Sequence, residues 1–301
     1  MEVAFHQSTV KSYLSCPRSF KYRYHDQIQP KWRGSAAVHG TVLHRMIERL
    51  HSGGWNLDAE TVYQMTLADE EAYGQDCELP IFWKGGRDEQ IAKLTEEAVE
   101  MIEGYRDKDY NREATVALAE AKFMLKLGRN VYAGTIDQLR DNGDGTYTLV
   151  DFKTSQFQPD PGFLDVDYQM GLYAYALWKG VFTLPDGSMK MMQIPPEKLT
   201  IIWYHLRDHL RYKRATNGHA VGEEKGDPLR YTSRTREQLA ELKRDLSDVA
   251  SSIKRGVFPR NPDQQRCGWC AFSEMCLEDS RGNALNRKQQ SQVQQLMEKV
   301  A

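Results

Sequence analysis

The feature that most narrows the fold is a change of hydrophobic period near residue 120. From there EAKFMLKL (120–127), NVYAGTIDQLRD (130–141) and TYTLVDFKTS (146–155) alternate apolar with polar residues, the pattern of half-buried strands. Asn142-Gly143-Asp144-Gly145, between the last two, is a hairpin turn signal. The calcium-loop spacing of acids and the terminal Glu are missing from it. A hairpin closed there sets positions 137 and 151 nearly opposite each other, so Asp137 of GTID and Asp151 of DFK converge. Lys153, two residues past Asp151, lies on the same sheet face. Two carboxylates on an apolar hairpin repel unless a positive charge sits between them. A divalent cation fills that need, and all-oxygen ligands favour magnesium or manganese. A neighbouring lysine can orient water and stabilise phosphate charge. Together these are the parts needed for phosphodiester hydrolysis.

Helical spacing surrounds this segment. Helices are expected over 8–24, 37–51, 165–179 and 233–255, with two acidic amphipathic helices at 58–78 and 87–110. LTIIWYHL (199–206) reads as a buried strand. Basic and acidic residues nearly cancel, 40 against 42, for a formal charge of −2. Their distribution is uneven: residues 1–33 carry +4 and residues 58–120 carry −11. Between 203 and 214, Arg207, Arg211, Lys213 and Arg214 alternate with Tyr204, Tyr212 and two histidines. Cations interleaved with rings suit a nucleic-acid strand.

Five cysteines are too few for a disulfide scaffold, and an odd number in a reducing compartment points to metal or redox chemistry. Cys267, Cys270 and Cys276 form Cys-x2-Cys-x5-Cys, and Cys16 is the best fourth partner because Cys77 lies in an acidic connecting segment. Four thiolates suit zinc, slightly favoured on chemistry alone, or an iron–sulfur cluster; spacing leaves both open.

The order GTID, DFKT and then Gln169-x-x-x-Tyr173 resembles the RecB-like branch of the PD-(D/E)XK nuclease superfamily. The resemblance spans roughly residues 37–206. It implies an α/β restriction-endonuclease-like core, a central mixed sheet flanked by helices, with a helical insertion and a cluster-binding strap built from the N- and C-terminal segments. By that resemblance His44, Asp137 and Asp151 hold the catalytic metal with the Phe152 carbonyl, and Lys153 positions the attacking water. Gln169 and Tyr173 line the DNA path or steady the lysine, and Glu120 matches an acid often found on the first strand. Two positions depart from the usual pattern: Ile136 precedes Asp137 where Pro is common, and Asp151 is one methylene shorter than the alternative Glu. The early cysteine in YLSCPRSFKY together with the later triplet resembles the iron–sulfur nucleases, among them CRISPR-associated RecB-like nucleases and AddB-type subunits. This implies a structural [4Fe–4S] cluster on Cys16, Cys267, Cys270 and Cys276, with zinc the less favoured occupant.

The expected organisation is a strap helix (1–36), a nuclease core (37–206) with an acidic insertion (about 58–112), a helix and Cys-rich segment (207–280), and a peripheral tail (281–301). The expected function is a Mg²⁺- or Mn²⁺-dependent DNA exonuclease on single-stranded ends, 5′→3′ by family analogy, with endonuclease activity as a further capability. The competing readings are a non-catalytic DNA-end-binding or adaptor module and a zinc-stabilised interaction protein. No GxxxxGK[ST] occurs, so no nucleotide cofactor is expected and a helicase would be a partner, as would a recombinase or CRISPR-adaptation protein. There is no run of 18 apolar residues and no signal-peptide layout, so a cytoplasmic protein of prokaryotic or phage origin, away from membranes, is expected.

Overall fold

A computed structural model describes residues 4–284, except 84, 156–157, 185, 211–213, 217–218 and 222–225. Eight strands form the main sheet: β1 (Phe5–His6), β2 (Thr115–Leu127), β3 (Asn130–Asp141), β4 (Tyr147–Lys153), β5 (Val181–Thr183), β6 (Met189–Lys190), β7 (Leu199–His205) and β8 (Leu229–Thr232). The spatial order is β8-β7-β4-β3-β2-β5-β6, with β1 added to β3. β4 runs parallel to β7, and the β2-β3-β4 meander is antiparallel, so the sheet is mixed. In the hairpin Gln138 pairs with Val150, the register anticipated from the turn.

Helices cover both faces. Helices α1 (Gln7–Ser15), α5 (Tyr168–Lys179) and α6 (Arg236–Lys254) pack one face, where Leu125, Tyr132, Ile136, Leu149 and Ile201 are buried. Helices α2 (Ser35–Arg49), α3 (Ala59–Asp76) and α4 (Arg87–Arg106) pack the other, against Val150, Phe152, Ile202 and Tyr204. Coverage of both faces explains why four consecutive β4 residues, Leu149–Phe152, are all buried rather than alternating. Caps set the helix starts: Asp58 accepts from Thr61 N, Asp167 from Met170 N, and Thr235 with Gln238 forms a capping box.

Three expected elements differ. The helix over 8–24 breaks at Cys16, which adopts φ −155° before Pro17, because the proline ring disfavours helical geometry in the residue before it. The first long strand begins at Thr115, five residues before the alternation becomes regular, with a register shift between Val116 and Leu118. The segment after β7 turns into a short helix, Leu206–His209, instead of an exposed strip. Among the described residues no helix is long and apolar enough to cross a membrane.

Candidate active site

β3 changes partners along its length. Tyr132 and Ala133 pair with β1, whereas Gln138–Asp141 pair with β4. Gly134–Asp137 lie between, where that edge of β3 opens, and the candidate site is built there. Glu120 of β2 lies across from Asp137, between the pairs Ala119–Gln138 and Ala121–Ile136. Its φ is +43°, a left-handed conformation for a non-glycine residue inside a strand. Such a residue costs on the order of 1–3 kcal/mol and persists only where its surroundings impose it. Helix α2 supplies His44, and Gly40 one turn earlier lets the helix approach β4: a Cβ there would meet Thr154 Oγ1 at 3.0 Å.

His44, Glu120 and Asp137 each offer a ligand atom, all within 4.8 Å of one another. His44 Nδ1 lies 3.7 Å from Glu120 Oε1 and 3.6 Å from Asp137 Oδ2. The other ring nitrogen, Nε2, meets the Phe152 carbonyl at 3.0 Å. A proton on Nε2 donated to that carbonyl leaves the Nδ1 lone pair facing the acids, the arrangement that makes histidine a metal ligand. Phe152 thus orients His44 through its carbonyl, and its amide donates to Asp137 Oδ2 at 2.7 Å. No other trio of His, Cys or acidic groups among the described residues converges so tightly. The donor set of one imidazole and two carboxylates fits a hard or borderline divalent cation.

Charge crowding fits the same reading. Burial, then the neighbouring Asp151, pushes the Asp137 carboxyl up to about 7. Burial alone would lower His44, but Glu120, Asp137 and Asp151 together raise it to about 9. A cation would relieve both displacements.

Asp151 stands beside this trio, fully buried, with Oδ2 2.5 Å from Lys153 Nζ. Its Oδ1 accepts from Gln169 Nε2 at 3.1 Å, while Lys153 Nζ donates to Gln169 Oε1 at 3.3 Å. Burial would lower the Lys153 pKa, yet Asp151 and Asp137 outweigh it and hold it raised. Gln169 Nε2 also donates to Tyr173 Oη at 2.8 Å, and Gln7 of α1 meets the same hydroxyl at 2.7 Å. Tyr173 is held well above the phenol range by burial and the nearby Asp151, so it remains a neutral hydroxyl.

Gln7 was not anticipated from the sequence. It is 166 residues from Tyr173, and a glutamine at a helix start carries no local signal of such a contact. The one trace is Gly134 of GTID, where a Cβ would lie 2.5 Å from Gln7 Oε1 and 2.8 Å from the Phe123 ring.

In the aromatic-basic strip, Tyr204 and Arg207 are engaged inside the molecule. Tyr204 is buried, its hydroxyl bonded to Asn111 and His209 and close to Tyr110, so it cannot stack on a base. Arg207 pairs with Glu97 of α4 at 2.9 Å, tying the insertion to the core. Arg211 and Lys213 lie outside the described residues, and Arg214 opens a short strand, Arg214–Thr216.

At the opposite end of α1, Cys16, Cys267 and Cys270 line one cavity of about 560 Å³, and Cys276 follows in α7 (Ser273–Ala284). The N- and C-terminal segments meet through Tyr13 Oη to Val257 O (2.7 Å), Tyr22 Oη to Asp279 Oδ2 (2.5 Å) and Asn261 Nδ2 to Ser15 O (2.8 Å). Cys77 is exposed at the end of α3.

A three-layer mixed sheet with an acid–lysine–histidine cluster at an opening between strands defines a nuclease-type α/β protein. The sequence matches the PD-(D/E)XK nuclease superfamily over residues 4–277, and the chain belongs to that superfamily. The crystal structure of a candidate exonuclease from Eubacterium rectale superposes over 90% of this chain and 87% of that one, with a TM-score of 0.50 and 12% identity. Alignment with the structure of SSO0001 covers 90% and 92% of the two chains at 12% identity, with a TM-score of only 0.32. No curated protein matches the sequence. At 12% identity the likeness to the Eubacterium rectale structure extends to the fold alone.

Proposed function

We propose that the protein is a RecB-like, Mg²⁺- or Mn²⁺-dependent DNA exonuclease acting on single-stranded ends, with 5′→3′ polarity and a structural [4Fe–4S] cluster. The observation that carries this reading is the convergence of His44, Glu120 and Asp137 within 4.8 Å beside the Asp151–Lys153 pair. A pure DNA-binding module has no use for that combination.

His44 Nδ1, Glu120 and Asp137 would hold the metal, with Asp151 and the Phe152 carbonyl beside them. Bound there, a divalent ion activates water and neutralises phosphoryl charge. Lys153, kept protonated by Asp151 and Asp137, acts as a donor to water or a phosphoryl oxygen rather than as a base. Gln169 holds Lys153 through Oε1 and Asp151 through Nε2. A flip of that amide would set like polarities against each other, so Tyr173 and Gln7 fix the orientation of the whole pair. Glu97 and Arg207 keep the acidic insertion docked.

The shared cavity of Cys16, Cys267 and Cys270 supports the cluster. Such a group would join the ends of the chain around the nuclease core. The same proposal takes in the four-segment organisation, DNA as substrate, a cytoplasmic setting, and a helicase, recombinase or CRISPR-adaptation protein as partner.

The test is degradation of end-labelled single-stranded and duplex DNA with Mg²⁺, Mn²⁺ or EDTA. Asp151→Ala and Lys153→Ala should each lower turnover roughly 10²-fold or more, with substrate binding retained. Cleavage in EDTA, or full activity in both variants, would overturn the assignment.

A further inference from the structure

Between α1 and the start of α5 lies a cavity of about 730 Å³ that the catalytic residues do not fill. Its volume is within the range of about 300–1,000 Å³ typical of small-molecule sites. The walls are apolar side chains left open to solvent: Phe163 and Val166 are each 68% exposed and Leu14 is 40% exposed, with Tyr168 beside them. Large apolar groups clustered on both sides of one groove mark a binding surface. The floor is polar, and it belongs to the candidate site. Gln7 and Gln169 line the groove, and Gln169 reaches both Asp151 Oδ1 and Lys153 Nζ. Lys11, exposed, and Asp167, whose carboxylate caps α5, also line the groove.

We propose that this groove holds an unpaired nucleobase of the DNA strand whose phosphate sits against Lys153. The proposal rests on the nuclease reading above and deepens it by naming what selects a single strand. A base has a flat apolar face for Phe163 and Tyr168, while the amides of Gln7 and Gln169, held by Tyr173, Asp151 and Lys153, close the floor beneath it. Lys11 matches the backbone phosphate that must follow. In a duplex each base is stacked and its Watson–Crick edge is paired, so entry requires melting the end. Selection of single strands thereby follows from a groove one side chain away from the acids.

The experiment measures binding in EDTA by fluorescence anisotropy, so that it does not depend on cleavage. The probes are a labelled single-stranded oligodeoxyadenylate and the same strand carrying abasic sites. Phe163→Ala should weaken binding of the intact strand roughly 10-fold and leave the abasic strand unchanged, and Phe163→Trp should restore the intact strand. Phe163 is mostly exposed, so the variant folds; Val166→Ser, on the same wall, supplies an independent second variant. Equal losses on both strands, or none on either, would overturn the proposal. So would a change from dimer to monomer in sedimentation with DNA affinity unaltered, because the groove would then be covered by a second copy of the chain. If the wild type binds bases in this way but cuts no DNA, the nuclease reading fails and this one stands.

Discussion

The crowding of acids around Asp137 predicts that a single isosteric change will stabilise the metal-free protein while removing its response to metal. Asp137→Asn keeps an oxygen able to accept from the Phe152 amide, the 2.7 Å bond that Asp137 Oδ2 makes now. It deletes the charge. Asp137 has a folded pKa of about 7 against an ordinary 3.8, because burial and then Asp151 disfavour its ionised form. The folded state therefore holds this proton more tightly than the unfolded chain, and stability falls as pH rises from about 4 to about 7. Above that window the ionised group costs the metal-free fold at most about 4 kcal/mol. A quarter of that, about 1 kcal/mol, already moves Tm by roughly 2 °C in a chain of this size. Saturating metal acts oppositely on the wild type, adding about 2.7 kcal/mol at 100 times Kd. Thermal melts at about pH 5 and about pH 8.5, in EDTA and in Mg²⁺, separate these effects. In EDTA at the higher pH, Asp137→Asn should melt above the wild type, with the difference shrinking at the lower pH. In Mg²⁺ the wild type should rise and the variant should not. A variant that melts lower in EDTA at high pH, or that keeps the whole metal-induced rise, would refute the placement of Asp137 in a charge-crowded metal site.

Gly134→Ala should cost about 1–3 kcal/mol of stability by overpacking and depress turnover, since its Cβ would strike Gln7 Oε1 and the Phe123 ring; unchanged melting and activity would show that Gln7 does not fill the sheet opening. Cys270→Ser should lose the brown iron–sulfur colour and melt well below Asp151→Ala, because Cys270 lies where the two ends of the chain meet; a colourless wild type that binds zinc would refute the cluster. His39 is buried against the Tyr63 hydroxyl at 2.9 Å, and burial depresses it to about 4 from 6.5. The unfolded chain then binds the extra proton between those values, so stability should fall as pH drops through that window, and denaturation curves of His39→Gln should show a shallower fall.

What could be read from the sequence follows from how far each interaction reaches along the chain. The hairpin register depended on residues 137–151 alone, and Gln138 does face Val150. Asp137, Asp151 and Lys153 were legible because turn geometry and a two-residue period fix them locally, whereas Gln169 and Tyr173 were singled out only by the resemblance to the RecB-like nucleases. Gln7 was not, since it meets Tyr173 only when α1 lies over the opening between β1 and β4. The left-handed φ of Glu120 was also invisible, because no local residue pattern marks it inside an alternating strand. The part of the strip at 203–214 that lies on β7 misled for the opposite reason. Its composition suited nucleic acid, but a strand buried on both faces uses tyrosine and histidine as core, as Tyr204 and His205 show. The charge asymmetry deserves the same treatment. Glu70 binds Arg33 and Arg45, Glu97 binds Arg207, and Glu71 binds Arg87. Part of the −11 balance of residues 58–120 is thus used inside the molecule, in ion pairs that join α3 and α4 to the N-terminal segment, to α2 and to the turn after β7. The more buried of these, Arg33–Glu70 and Arg207–Glu97, contribute little net stability but are costly to break singly. The Arg45–Glu70 pair and the shared apolar core tie the insertion to α2, the helix that carries His44.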